Sequence, residues 1–272
     1  MAKHDISLYS KCTSTIYAGK SHFGFEMRFF LIHIFIEKNM NTCDQIENLN
    51  LRFIDHSKQN RQPETIILSE GQKKIINFLD SKPFSVIRHT RRVGASMALL
   101  LYMLANALYT NNKNKRFCFI SNNLNSSKHA YDQMKDIIQN SLSEEEIKQI
   151  SSDRCSITFP NNNIIYFMFP ERFQAQMECF DVVIGDNAAF FDFNIERYKQ
   201  LLNNNGRMCL VSTPYGPLND FAALWFKTNK EERLSITFMD TFWQGAKFAT
   251  HMMEKYYGDI SSYAGEIFGF FI

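Results

Sequence analysis

Leu210-Val211-Ser212-Thr213-Pro214-Tyr215-Gly216-Pro217-Leu218-Asn219-Asp220-Phe221-Ala222-Ala223-Leu224-Trp225 is the stretch on which the reading of the fold turns. Met208 to Ser212 is a short apolar run of the length and composition of a buried strand. Ser-Thr-Pro ends it, Gly216 supplies a turn, and an apolar helix follows. A plain strand–turn–helix accounts for this shape, so its meaning depends on what surrounds it.

Working outward, the same alternation recurs. A helix opened by Ser69 as N-cap runs through Ile75 to Leu79. Phe84 to Arg88 reads as a short buried strand, and Ser96 to Tyr109, apolar almost all round, as a buried helix. Arg116 to Ser121 is a strand and Ser126 to Gln139 an amphipathic helix. Cys155 to Phe159 and Ile164 to Phe169 flank Asn161-Asn162-Asn163 as a hairpin, and Phe180 to Gly185 is another buried strand. Buried strands alternating with helices predict an α/β fold with a mostly parallel sheet flanked by helices.

The chain has 272 residues, 45% apolar and 21% charged, with 26 Phe; this is enough bulk for a sizeable core and excludes a disordered chain. A net charge of +2 neither requires nor excludes nucleic acid. The six cysteines form no CxxC pair and no His cluster has ligand spacing, which argues against zinc and for reduced, mostly buried thiols of a cytosolic protein. Phe29 to Ile36 is strongly apolar but too short to span a bilayer, so no membrane association is expected. Residues 1–62 carry no motif and are read as an N-terminal extension; 55–65, with Pro63, reads as a linker, and 63–272 as the domain proper.

Two further segments could carry chemistry. Val86 to Ser96 runs from a strand through Thr90-Arg91-Arg92-Val93-Gly94-Ala95 into a helix. Backbone N–H groups at such a helix start can cradle a phosphate. Ser96 then stands where a hydroxyl holds Mg²⁺, and Ala95 where a loop lysine is usual. Equally, Gly94 could make a turn and nothing more, with Arg91 and Arg92 solvated. Asp181-Val182-Val183-Ile184-Gly185-Asp186-Asn187-Ala188-Ala189-Phe190 places Asp186 at the carboxyl end of a buried strand, the edge where α/β sheets bind ligands. There it can hold Mg²⁺ through water; the competing reading makes it a helix N-cap. Asn187 can orient a water but cannot take its proton. Ser212 and Thr213, at a neighbouring strand end, could sense a terminal phosphate.

The order of these segments resembles the ATPase domain of tailed-phage terminase large subunits, a P-loop NTPase of the RecA/ASCE-like kind. In that family an adenine-binding Gln precedes the loop by one helix and one strand, and Gln72 matches it. The family loop reads S-R-Q-x-G-K-[ST] or K-x-R-Q-x-G-x-[ST]; Arg91, Gly94 and Ser96 match, while both lysine positions are lost, to Ala95 and His89. Its acidic strand ends Asp-Glu-Ala-Ala/Cys-Phe, against Asp186-Asn187-Ala188-Ala189-Phe190 here. Its coupling motif, [ST]-T-P-x-G followed by Asn, an aromatic and Trp, matches Ser212 to Gly216, Asn219, Phe221 and Trp225. An Arg-Gly pair found in the family is replaced by Gln176-Met177, and Gly265 to Phe270 is similar to the segment that closes the domain. The nuclease domain of the family would follow residue 272.

The resemblance implies ATP and Mg²⁺ as ligands, held by Gln72, Arg91, Arg92, Val93, Gly94, Ala95, Ser96, Asp186, Ser212 and Thr213, with Ser96 and Asp186 on the metal. Asn187 stands for the catalytic Glu, and Arg91 or Arg88 for part of the lysine charge. It implies double-stranded DNA, a portal, a small terminase subunit or an intact terminase as partners, in the host cell cytoplasm. Loss of the lysine and the carboxylate implies weak hydrolysis, either in a packaging motor or in an inactive terminase-like regulatory or assembly protein. Lys113, Lys115 and Arg116, and Lys227 with Lys230, are candidate DNA contacts or solvated loop charges.

Overall fold

The computed structural model describes residues 41–54, 62–109, 113–191, 195–237 and 240. The runs at Phe29–Ile36 and Gly265–Phe270 lie outside them. In chain order the elements are α1 (Thr42–Asn48), β1 (Arg52–Ile54), β2 (Pro63–Thr65), α2 (Glu70–Ser81), β3 (Phe84–His89), α3 (Ala95–Tyr109), β4 (Arg116–Ile120), α4 (Leu124–Ser141) and α5 (Glu144–Lys148). There follow β5 (Ser151–Ser152), β6 (Ser156–Thr158), β7 (Ile164–Met168), α6 (Pro170–Gln174), β8 (Phe180–Asp186), α7 (Ile195–Gln200), β9 (Leu202–Ser212), α8 (Asp220–Lys227) and β10 (Arg233–Ile236).

The main sheet has the order β10-β3-β9-β8-β4-β7-β6-β5. Every pairing from β10 to β7 is parallel, and β7-β6-β5 is antiparallel. The central strands are apolar without a break because both faces are covered. Side chains alternate across a strand, and Ile87, Phe117, Phe119, Ile184, Cys209 and Val211 join one core cluster. Their neighbours Val86, Cys118, Ile120, Val183, Met208 and Leu210 join the other. α1, α2, α3 and α4 cover the first face, and α6, α7 and α8 the second. α3 packs against the sheet and against α1, α2 and α4, which is why its sequence carries almost no polar stripe. No helix among the described residues is long and apolar enough to cross a membrane.

The structure adds three features that local sequence signals do not carry. Residues 42–54, read as part of an extension, pack into the first core through Cys43, Ile46 and Leu51. Thr42 donates from N and Oγ1 to the two carboxylate oxygens of Asp80, at 3.2 and 2.9 Å, fixing α1 to the end of α2. The compact unit that holds them starts at Asn41. Pro63 lies in β2, which pairs antiparallel with β1, so the end of the expected linker is a strand. Finally, β9 begins at Leu202, six residues before the apolar run. Asn203 to Gly206 form an irregularity opposite β8, where Phe180 faces Leu202 but Val182 faces Arg207. A Cβ on Gly206 would lie 2.9 Å from the Asn203 carbonyl. Polar residues in such a bulge look like loop in sequence.

Candidate functional site

The carboxyl ends of the parallel strands bring together the loop after β3, the end of β8 and the end of β9. The loop is built around Gly94. Its φ of +75° is left-handed, and a Cβ would meet Gln72 Nε2 at 2.7 Å. Gly94 opens α3 through its carbonyl, which accepts from Ala98 N at 3.0 Å. The same carbonyl accepts from Gln72 Nε2 at 3.2 Å. Gln72 is itself clamped in a capping box: Ser69 N donates to its Oε1 at 2.9 Å, and Gln72 N donates to Ser69 Oγ at 3.2 Å. Gln72 thus braces the loop from α2. Arg92, with φ +61°, makes the second left-handed turn of the loop. Val93 is fully buried and Ala95 nearly so, anchoring the loop in the core, while Arg91 and Arg92 are exposed.

Ser96, in the first turn of α3, donates from Oγ to Asp186 Oδ2 at 2.7 Å. β9 lies between β3 and β8, so this bond spans two strand positions. Asp186 is the last residue of β8 and is buried; the N-cap position of the 3-10 turn Ala188–Phe190 belongs to Asn187. That replaces the reading of Asp186 as a cap. Burial pushes the Asp186 carboxyl up to about 6, against the pull of the Ser96 hydroxyl and the Asn187 N–H. Its other oxygen, Oδ1, is buried with no hydrogen-bond partner. A half-satisfied buried carboxylate is costly unless it binds a proton or a cation. Ser96 and Asp186, both oxygen donors, therefore fit a hard divalent cation such as Mg²⁺. No group of three or more His, Cys, Asp or Glu suited to a metal occurs among the described residues.

His89 and Arg88, at the end of β3, are each engaged by other groups. His89 is buried, its Nδ1 lies 2.8 Å from the Thr90 carbonyl, and burial lowers its pKa to about 4. It is a neutral ring at pH 7. Arg88 stacks on Trp225, 4.8 Å from the ring centroid, and its Nε donates to Ser235 Oγ at 3.0 Å. Arg233 lies 5.4 Å from the same ring. Trp225 thus lies against two arginines.

Asn187 adopts φ 62°, ψ 40°, a left-handed conformation that Asn tolerates better than most residues. Ser212 is fully buried, and its Oγ accepts from Ala189 N at 3.1 Å, tying the end of β9 to the turn after Asp186. Thr213 is buried beside it. Asn219 caps α8 by accepting from Ala222 N at 2.8 Å. Its Nδ2 donates to the carbonyls of Tyr215 and Gly216, which closes the preceding loop.

Ser96, Asp186 and Asn187 open onto a cleft of about 360 Å³. α4 also lines it, through Asn125, Ser126, His129 and Gln133, none of which the sequence singled out. The available signal was the four-residue spacing of Asn125, His129 and Gln133, which places them on one helix face. The basic residues Lys115 and Arg116, in contrast, sit at the amino end of β4 and pair with Asp181 at 2.9 Å and Glu178 at 3.1 Å.

A parallel sheet whose first central strand enters a helix through a glycine loop, with a helix hydroxyl on a buried carboxylate two strands away, has the architecture of the P-loop NTPases. Among solved structures it matches the large terminase of a thermophilic bacteriophage, solved with ADP, with a TM-score of 0.59, 14% identity, and coverage of 75% of this chain and 54% of that one. The ATPase domain of the Thermus phage P74-26 large terminase gives 0.60 at 12% identity, covering 86% of this chain and 100% of that one. The large terminase of bacteriophage HK97 gives 0.58 at 13% identity, covering 72% and 44%. The fold is that of a phage large-terminase ATPase domain. The chain spans about half the length of the ADP-bound terminase and of the HK97 terminase. No family model matches the sequence, and no curated protein does.

Proposed function

We propose that this chain acts as the ATPase domain of a terminase-type viral DNA-packaging motor, binding Mg²⁺–ATP at the loop after β3 and hydrolysing it slowly. The observation that carries the reading is the Ser96–Asp186 hydrogen bond, which leaves Asp186 Oδ1 buried and unpaired beside that loop. Ser96 and Asp186 hold the cation, whose chemistry is to neutralise phosphate charge. The α3 N-terminus offers backbone N–H groups to the phosphates, and Gln72 fixes the loop that presents them. Arg91 and Arg92 contribute positive charge at the loop surface. Double-stranded DNA, a portal and a small terminase subunit or an intact terminase are the partners that this reading entails.

Slow turnover follows from the residues present. Ala95 has no charge, His89 is neutral, and Asn187 has no basic oxygen. Each missing group is worth roughly a hundredfold or more in rate. The fluorescence of an ATP analogue titrated with and without Mg²⁺, run beside a phosphate-release assay, tests the reading. Mg²⁺-dependent binding with slow release is the expected result, and failure of the analogue to bind overturns it. Binding without any release would favour the second reading, a catalytically inactive terminase-like protein that regulates or assembles with an active partner; Ala95 in place of a lysine and Asn187 in place of a carboxylate support that reading.

A further inference from the structure

The cleft beyond Asp186 has a polar wall that the reading above does not use. Asn125, His129 and Gln133 recur every four residues along α4 and line it together with Ser96, Asp186 and Asn187. Among the described residues, His129 and Asp186 are the ionisable side chains in that lining. Asp186 is engaged by Ser96 and suited to a cation. The neighbouring charges on α4, Lys128 and Asp132, are outside the lining. Asn187 lies where a water-activating carboxylate would be expected, and an amide cannot accept a proton. An imidazole can, through the lone pair of its unprotonated ring nitrogen. His129 is also exposed, so a proton gained there can pass to solvent.

We propose that His129 serves as the proton acceptor for the attacking water, supplying from α4 the base that position 187 lacks. The inference rests on the nucleotide reading given above. The water oxygen forms a bond to the γ-phosphorus, and the bond from that phosphorus to the β,γ-bridging oxygen breaks with its electron pair leaving on ADP. The proton released by the water moves to the free imidazole nitrogen of His129 and then to solvent. No oxidation or reduction occurs. The cleft, at about 360 Å³, has room for the water and for the imidazole ring beside it.

The test uses the full chain, its H129A and H129Q variants, and the fluorescent ATP analogue. His129 is exposed, so both variants are expected to fold and to bind the analogue as the wild type does. Phosphate release should fall about a hundredfold in each. Free imidazole added to H129A should restore release, and added to H129Q should not, because the glutamine fills the space. Equal release from H129A and the wild type, loss of release without imidazole rescue, or binding without release in the wild type would each overturn the role of His129 and leave nucleotide binding intact. Failure of the wild type to bind the analogue would instead overturn the reading on which it depends.

Discussion

Adding one methyl group at Gly94 probes the brace between α2 and the loop. In G94A the alanine must adopt φ +75°, which costs about 1–2 kcal/mol for an L-residue. Its Cβ would stand 2.7 Å from Gln72 Nε2, so the amide must swing away. The swing gives up the bond to the Gly94 carbonyl and the back-bond from Ser69 N, each worth about 1 kcal/mol. The whole penalty is about 3 kcal/mol, or roughly 6–12 °C in Tm for a domain of this size. Q72A loses the same two bonds with no backbone strain and should cost about 2 kcal/mol. In the double variant the methyl no longer meets an amide, and the two lost bonds are counted once. G94A/Q72A should therefore be destabilised by about 1–2 kcal/mol less than the sum of the single variants. Urea denaturation of the four proteins measures this directly. Strict additivity, or a G94A protein as stable as the wild type, would refute the contact between Gln72 and the loop.

The other predictions address the strand ends. The Asp186 carboxyl is raised from 3.8 to about 6, so both states hold its proton below about pH 4, and the folded state is penalised as pH rises through 6. D186N should match the wild type at pH 4 and exceed it by about 3 kcal/mol at pH 8 in denaturation; Mg²⁺ should recover part of that difference for the wild type alone, and a pH-independent difference would count against the unpaired carboxylate. N187E places Glu in a left-handed backbone, so it should lose about 1 kcal/mol of stability while raising phosphate release at least tenfold; an unchanged midpoint would contradict the strain. S212A leaves the buried Ala189 N–H without an acceptor and should cost about 1–3 kcal/mol with unchanged analogue affinity, whereas a selective loss of affinity would make Ser212 a phosphate contact.

The strands and the buried helix of the parallel sheet, and the places where they break, were legible in the amino-acid pattern. Phe84–Arg88, Phe180–Gly185 and Met208–Ser212 are short apolar runs whose ends are marked by a glycine loop, an aspartate and Ser-Thr-Pro, and those signals are local. It also put Gln72, Gly94, Ser96 and Asp186 in an order that resembles terminases, because spacing along the chain is all that such an order needs. The remaining features are non-local and depend on packing. The Ser96 hydroxyl meets Asp186 across ninety positions of sequence because the sheet order places β9 between their strands. His89 is neutral because burial, and not its spacing, sets its charge. Arg88 turns to Trp225, which comes from α8, and His129 reaches the cleft because α4 packs over β7. The polar start of β9 and the helix at Thr42–Asn48 escaped reading for the same reason: a bulge and a docked helix are stabilised by partners far away in the chain, and no local pattern records them.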